Sequence, residues 1–265
     1  MMSEERAPVV LSVADGIADI QFNRPEALNA INVAAARAFR DAVELAASDG
    51  SVRVILLSGA GRAFVAGGDL TYFRDAGADA SKAATQLIEP MHAAILRLRS
   101  APQPVVACLQ GAVAGAGMSV ALAADLAVAA DDVAFNMAYV RVAATPDCSA
   151  SWTLPRLLGM RKAMEVALLA DTIRADEALR LGLVNRIVPR AELDSETRNL
   201  ARRLADSAPL AVQGIKRLLT ASLDTSLAAQ LDAEGASFVR AAGTRDFHEA
   251  LAAFFEKRAP RFVGQ

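Results

Sequence analysis

Two glycine-rich segments, GRAFVAGGDL (61–70) and GAVAGAGMSVALAAD (111–125), hold the residues of this chain best suited to chemistry. Small side chains at the mouth of a helix let bare backbone N–H groups approach a ligand. Converging N–H donors then stabilise an oxygen that gains negative charge. The expected ligand is an oxyanion met by backbone donors from both turns. Other uses of the same residues fit less well. The run Gly115-Ala116-Gly117-Met118-Ser119-Val120 has valine where a dinucleotide-binding G-x-G-x-x-G needs its third glycine. A nucleophile elbow would seat Ser119 directly at a strand end, whereas it follows the VVACL strand at a distance and is expected on a helix. The cysteines, Cys108 and Cys148, form no C-x-x-C pair, so a disulfide framework and a structural zinc site lack their raw material, and no metal is expected.

The elements that must carry these turns can be read from hydrophobic periodicity. VVLSV (9–13) and IADIQF (17–22) flank Asp15-Gly16 and read as a β-hairpin. Asn32 can cap a helix running to about Ala47, with Ala35, Phe39, Val43 and Ala46 on one face. A strand at 52–58 leads into the first glycine turn and a short helix near Asp69. A longer helix at 82–99 is stopped by Pro102 and Pro104, and the VVACL strand leads into the second turn. Strand, glycine turn and helix thus recur, which predicts a layered α/β core. From Leu154 onward the pattern is almost wholly helical, with helices expected at 161–170, 175–181, 192–206, 210–223, 226–241 and 247–257. Helices with apolar faces and little sheet of their own bury those faces against a neighbour, here another subunit.

Composition narrows the function class. At 265 residues, 54% hydrophobic and with few aromatics, the chain is expected to form one main α/β domain with a helical appendage. A net charge of −2 and the lack of a basic, aromatic-interleaved stripe exclude nucleic acid as the principal partner. No apolar run reaches the ~18 residues of a membrane span and the N-terminus has no apolar leader, so a soluble, cytoplasmic protein is expected.

Four ordered motifs then point to a family. NRPEALNAI (23–31), GRAFVAGGDL, PQPVVACLQGAVAGAGMSVALAAD (102–125) and ADTIRADEALRLGLVNRIVP (170–189), followed by FFEKRAPRF (254–262), resemble the crotonase superfamily of enoyl-CoA hydratases and isomerases in kind, order and spacing. The resemblance covers nearly the whole chain. It implies a spiral of repeated ββα units over residues 1–200, a C-terminal helical trimerisation region at 201–265, and homotrimers that pair into hexamers. It also implies acyl-coenzyme A thioesters as substrates, with no separate cofactor. The oxyanion donors would be the backbone N–H groups of Gly68 and Ala116. Coenzyme A would lie along Ala27 and Leu28, with Ala66 and Gly67 on its adenine side and Arg24 facing the phosphates. Asp69, Leu70, Gly115, Tyr139 and His92 would line the site. Lys257 and Phe262 would reach an adjacent active site in the trimer.

The chain departs from the family's hydratases where their two catalytic glutamates should stand. Ser119 occupies the first position and Tyr139 the second, and hydroxyls are poor general bases near neutrality. The loop TPDCSASWTLPRLLG (145–159) instead supplies Asp147, in a pattern similar to that of phenylacetate-pathway enoyl-CoA isomerases. The resemblance implies that Asp147 takes a proton from one carbon and returns it to another, a role that suits a carboxylate in apolar surroundings. Asp147 could alternatively cap the helix that begins near Ser149 or Ser151. His92 has its own alternative, because halobenzoyl-CoA dehalogenases of the superfamily pair a histidine on this helix with such an aspartate. We favour a pocket-lining or packing role for His92, and a structural or surface one for His248. A non-catalytic coenzyme A binder is the remaining alternative.

Overall fold

The structure is a computed structural model that describes residues 6–265. Strands β1 (Val9–Ala14) and β2 (Ile17–Phe22) form the expected antiparallel hairpin. Asp15 and Gly16 take the positive φ angles of 52° and 75° that a tight turn of this hand requires. Helix α1 (Val33–Ser48) starts at Asn32, whose side chain accepts from the Ala35 N–H at 2.9 Å.

Strand β3 (Val54–Gly59) is buried throughout, as is β4 (Val105–Leu109). Between them run α2 (Leu70–Ala76) and α3 (Ala80–Ser100). The chain continues through β5 (Ala112–Ala114), α4 (Ala116–Leu122), β6 (Leu126–Ala130) and β7 (Ala134–Asn136) to α5 (Ala150–Leu158) and α6 (Met160–Leu169). Strand β8 (Ile173–Arg174), α7 (Ala175–Arg180), β9 (Arg186–Val188) and α8 (Leu193–Ala205) follow, then α9 (Pro209–Ala221), α10 (Leu227–Ala242) and α11 (Arg245–Glu256).

The main sheet has the order β1-β2-β3-β4-β6-β9, parallel from β2 onward. A smaller sheet, β5-β7-β8, stands beside it, and an isolated parallel bridge between Val65 and Val113 extends it toward the first glycine turn. Each central strand of the large sheet therefore passes through a turn into a short segment of the small one and then toward a helix. Two of these units contain the glycine turns, and β6, β7 and α5 make a third, which is the spiral of ββα units. The parallel strands are apolar without alternation because both faces are covered. Ile55 and Leu57 join a cluster with Phe39, Met91 and Leu98 of α1 and α3. Val54, Leu56, Val106 and Val128 pack against Leu193, Ala201 and Ala205 of α8.

The C-terminal third is less uniformly helical than its periodicity suggests. NRIVP contributes β9, the edge strand of the main sheet, and Ile173–Arg174 form β8. Segments this short show no alternation of their own, and only the neighbouring strands β6 and β7 give them a register. Residue 200 falls inside α8, whose buried face completes the sheet packing. The helices beyond it carry much exposed apolar surface, including Leu227 (75% exposed), Phe254 (77%) and Phe255 (79%).

Candidate active site

The two glycine turns meet. The segment Ala63–Gly67 is threaded past the NRPEALNAI loop and β5 by backbone bonds: Ala66 N–H to Leu28 C=O (3.0 Å), Ile31 N–H to Gly67 C=O (2.8 Å), Asp69 N–H to Ile31 C=O (2.9 Å) and Ala114 N–H to Val65 C=O (3.0 Å). Two buried amides clamp its base. Asn29 Nδ2 donates to the carbonyls of Ala60, Ala63 and Phe64 at 2.9–3.0 Å, and Gln110 Nε2 donates to Gly59 C=O at 2.6 Å. In the second turn Gly115 has φ +50°, and a Cβ added there would lie 3.6 Å from Gly67 Cα. A side chain on Gly117 would run into the Val65 carbonyl, so only glycine lets the two segments approach this closely.

The result leaves two N–H groups free at the junction. Gly115 N–H is taken by Asn136 C=O (2.9 Å), and the Gly115 carbonyl accepts from Ser119 N–H (3.1 Å). Ala116, the first residue of α4, and Gly68 donate to no backbone acceptor among the described residues. Such orphan donors, fixed by surrounding hydrogen bonds, are suited to an oxygen that gains charge.

The hydroxyls and the carboxylate singled out by sequence converge. Tyr139, on the 3-10 turn Ala138–Val142, donates its phenol O–H to Asp147 Oδ1, and Ser119 Oγ lies 3.1 Å from the same phenol oxygen. Because the only proton of the phenol goes to Asp147, Ser119 is the donor in that pair. Ser119 is fully buried and also lies 3.3 Å from the Gly115 carbonyl. Burial, reinforced by the negative charge of Asp147, pushes the Tyr139 phenol far above the ordinary tyrosine range, so it stays a neutral donor.

Asp147 does not cap α5 with its side chain. Ser149 holds the N-cap position, and Asp147 offers only its backbone carbonyl, to Ala150 N–H at 3.1 Å. The turn that presents it is strained, because Cys148 (φ 49°) and Ser149 (φ 71°) are consecutive non-glycine residues in the left-handed region. His92, reaching across from α3, accepts the Cys148 N–H on Nε2 at 3.3 Å and so pins this turn. That bond anchors the imidazole to the turn that carries Asp147. A nitrogen of His92, a carboxylate oxygen of Asp147 and the Cys148 thiol lie within 4.8 Å of one another, a spacing that could bridge a cation. Nε2 is already engaged, however, and burial drives the Cys148 thiol strongly toward its neutral form. The set is arranged for hydrogen bonding.

The remaining candidates divide into two groups. Leu28 meets Ala66 through the backbone bond above, and Ala27 precedes it at the end of the 3-10 turn Pro25–Ala27. Arg24, expected to face phosphates, directs Nη1 to Asp69 Oδ2 (3.1 Å) and the Ala30 carbonyl (2.5 Å). Asp69 also caps α2, accepting from Thr71 N–H at 3.1 Å, and Leu70 next to it is exposed. This pair therefore braces the turn that carries Gly68. Lys257 ends α11, and the Phe262 carbonyl accepts from Arg53, just before β3 and at the opposite end of that strand from the glycine turn. Neither joins the site of its own chain. Asn29 and Gln110 were missed by sequence reasoning, although each is an isolated polar residue in an apolar stretch next to a tight turn.

The family model described as enoyl-CoA hydratase/isomerase matches residues 12–265. The 1,2-epoxyphenylacetyl-CoA isomerase of Escherichia coli strain K12 is 33% identical over 262 residues, spanning 97% of this chain and 98% of that protein. The short-chain-enoyl-CoA hydratase of Clostridium acetobutylicum is 33% identical over 261 residues, spanning 94% and 95% respectively. Among solved structures, an enoyl-CoA hydratase from Polaromonas sp. JS666 superposes with a TM-score of 0.92 at 33% identity, covering 96% of this chain and 99% of that one.

Proposed function

Because this chain belongs to the enoyl-CoA hydratase/isomerase family and is an acyl-CoA-processing enzyme, we propose that it shifts a double bond along the acyl chain of an enoyl-CoA, with Asp147 as acid and base in turn. One observation carries this reading: the two positions that would hold water-activating glutamates present the Ser119 and Tyr139 hydroxyls, and both lead by hydrogen bonds to the carboxylate of Asp147.

In the proposed reaction Asp147 removes a proton from the α-carbon of a β,γ-unsaturated thioester. The electron pair moves onto the thioester oxygen, which the N–H groups of Gly68 and Ala116 stabilise; one such donor is typically worth ~3 kcal/mol of barrier. The enolate then collapses as the double bond moves into conjugation, and Asp147 returns the proton to the γ-carbon. The carboxylate ends as it began. The thioester itself supplies the activating carbonyl, so the reaction needs no cofactor. Syn-hydration would require a base for water, and the hydroxyls at those two positions are too weakly acidic to serve.

Assembly belongs to the same proposal. We place the exposed apolar residues of α9–α11, Phe254 and Phe255 among them, in contacts between copies in a homotrimer or a pair of trimers. No helix among the described residues is long and apolar enough to cross a membrane. Two substrates test the activity. Vinylacetyl-CoA should be converted to crotonyl-CoA, and crotonyl-CoA should not be hydrated at rates usual for hydratases, tens per second or more. Rapid hydration with no isomerisation would overturn the proposal.

A further inference from the structure

We propose that Tyr139, held by Ser119, is a positioning residue that occupies one carboxylate oxygen of Asp147 and leaves the other as the single proton-carrying atom of the site. The inference rests on the reading of Asp147 as acid and base. The Tyr139 phenol bonds Oδ1. No other hydroxyl, amide or basic side chain bonds this carboxylate among the described residues, and the Cys148 thiol beside it is a weak donor.

The tether has two chemical consequences. The phenol's bond to Oδ1 fixes the rotation of the carboxylate and leaves Oδ2 as its free acceptor. Because the half-buried phenol holds its own proton firmly, Tyr139 orients the carboxylate without exchanging protons with the substrate. Removal from the α-carbon and return to the γ-carbon are then made by the same oxygen on one face of the acyl chain.

The tether also links the two halves of the reaction. Ser119 sits on α4, whose first residue is Ala116, and lies within 3.3 Å of the Gly115 carbonyl. A hydrogen-bonded path from Ser119 of α4 through Tyr139 to Asp147 therefore fixes the base relative to the helix that begins at the oxyanion turn. Without it, Asp147 would depend on the strained Cys148–Ser149 turn and the His92 bond to the Cys148 amide.

The titratable groups facing Asp147 are Tyr139, Cys148 and, from α3, His92. The test is kcat and KM for vinylacetyl-CoA, measured in both the native and His92→Gln backgrounds so that the imidazole cannot account for the result. Tyr139→Phe should lower kcat by about 10-fold, the loss expected of one hydrogen bond to a carboxylate. The loss should fall on kcat rather than KM, and Ser119→Ala should lower kcat by less. If Asp147→Asn abolishes turnover while neither hydroxyl variant lowers kcat, the tether is refuted and the acid-base reading stands. A fully active Asp147→Asn enzyme refutes the underlying reading instead. Should Tyr139→Phe fail to fold, Ser119→Ala decides alone, and an unchanged kcat there overturns the inference.

Discussion

Replacing Asp147 with asparagine should remove the proposed proton transfer while changing little else. The amide keeps the size of the side chain and retains a carbonyl oxygen where Oδ1 now accepts the Tyr139 hydroxyl. It cannot take a proton from carbon. General acid-base catalysis contributes roughly 100- to 10,000-fold, so conversion of vinylacetyl-CoA should fall by at least ~100-fold, about 3 kcal/mol of barrier. The structural cost is smaller. Turning a hydrogen bond with a charged acceptor into a neutral one costs on the order of 1 kcal/mol. The α5 cap is unaffected, because Asp147 contributes only its backbone carbonyl there. Turnover is followed by the appearance of the conjugated thioester, affinity by titration with coenzyme A, and stability by thermal melting. A large loss of kcat with nearly unchanged affinity and melting temperature is expected. Full activity in the variant would refute the acid-base role, and a protein that mainly unfolds would show that the charge at Asp147 serves structure.

Two further variants probe the surroundings. Ala116→Pro removes the N–H of the second oxyanion donor at the first position of α4, where proline is best tolerated, so turnover should be lost while circular dichroism stays native; a folded, active variant would mean that the glycine turns serve packing alone. In Tyr72→Phe the only remaining phenol is Tyr139, and phenolate absorbance should stay absent through the ordinary tyrosine range near pH ~10 and rise only as the protein unfolds, because burial and Asp147 favour the neutral form. A reversible rise near pH ~10 with native circular dichroism would contradict the Tyr139–Asp147 pairing.

The sequence by itself determined the local conformations and the chemical types available. Asp15-Gly16 specifies the hairpin because both turn residues need positive φ. Asn32 starts α1 because its side chain satisfies an N–H that the helix leaves unpaired. The glycines at 115 and 117 mark where backbone must approach backbone, and that is visible as residue type before any fold is known. Asp147 could be singled out because Ser119 and Tyr139 stand where carboxylates were expected. Tertiary structure decided which polar groups found each other. Arg24 pairs with Asp69 across 45 residues, and His92 accepts an amide proton across 56. The Tyr139 hydroxyl could have faced solvent, but the fold points it between Ser119 of α4 and Asp147. Strands β8 and β9 were hidden because segments of two or three residues have no pattern of their own and acquire register only from a partner. Backbone sterics act over neighbouring residues and are written in the sequence; the choice of partner for a buried polar group is made by desolvation across the assembled fold, where leaving it unpaired costs more than any local preference.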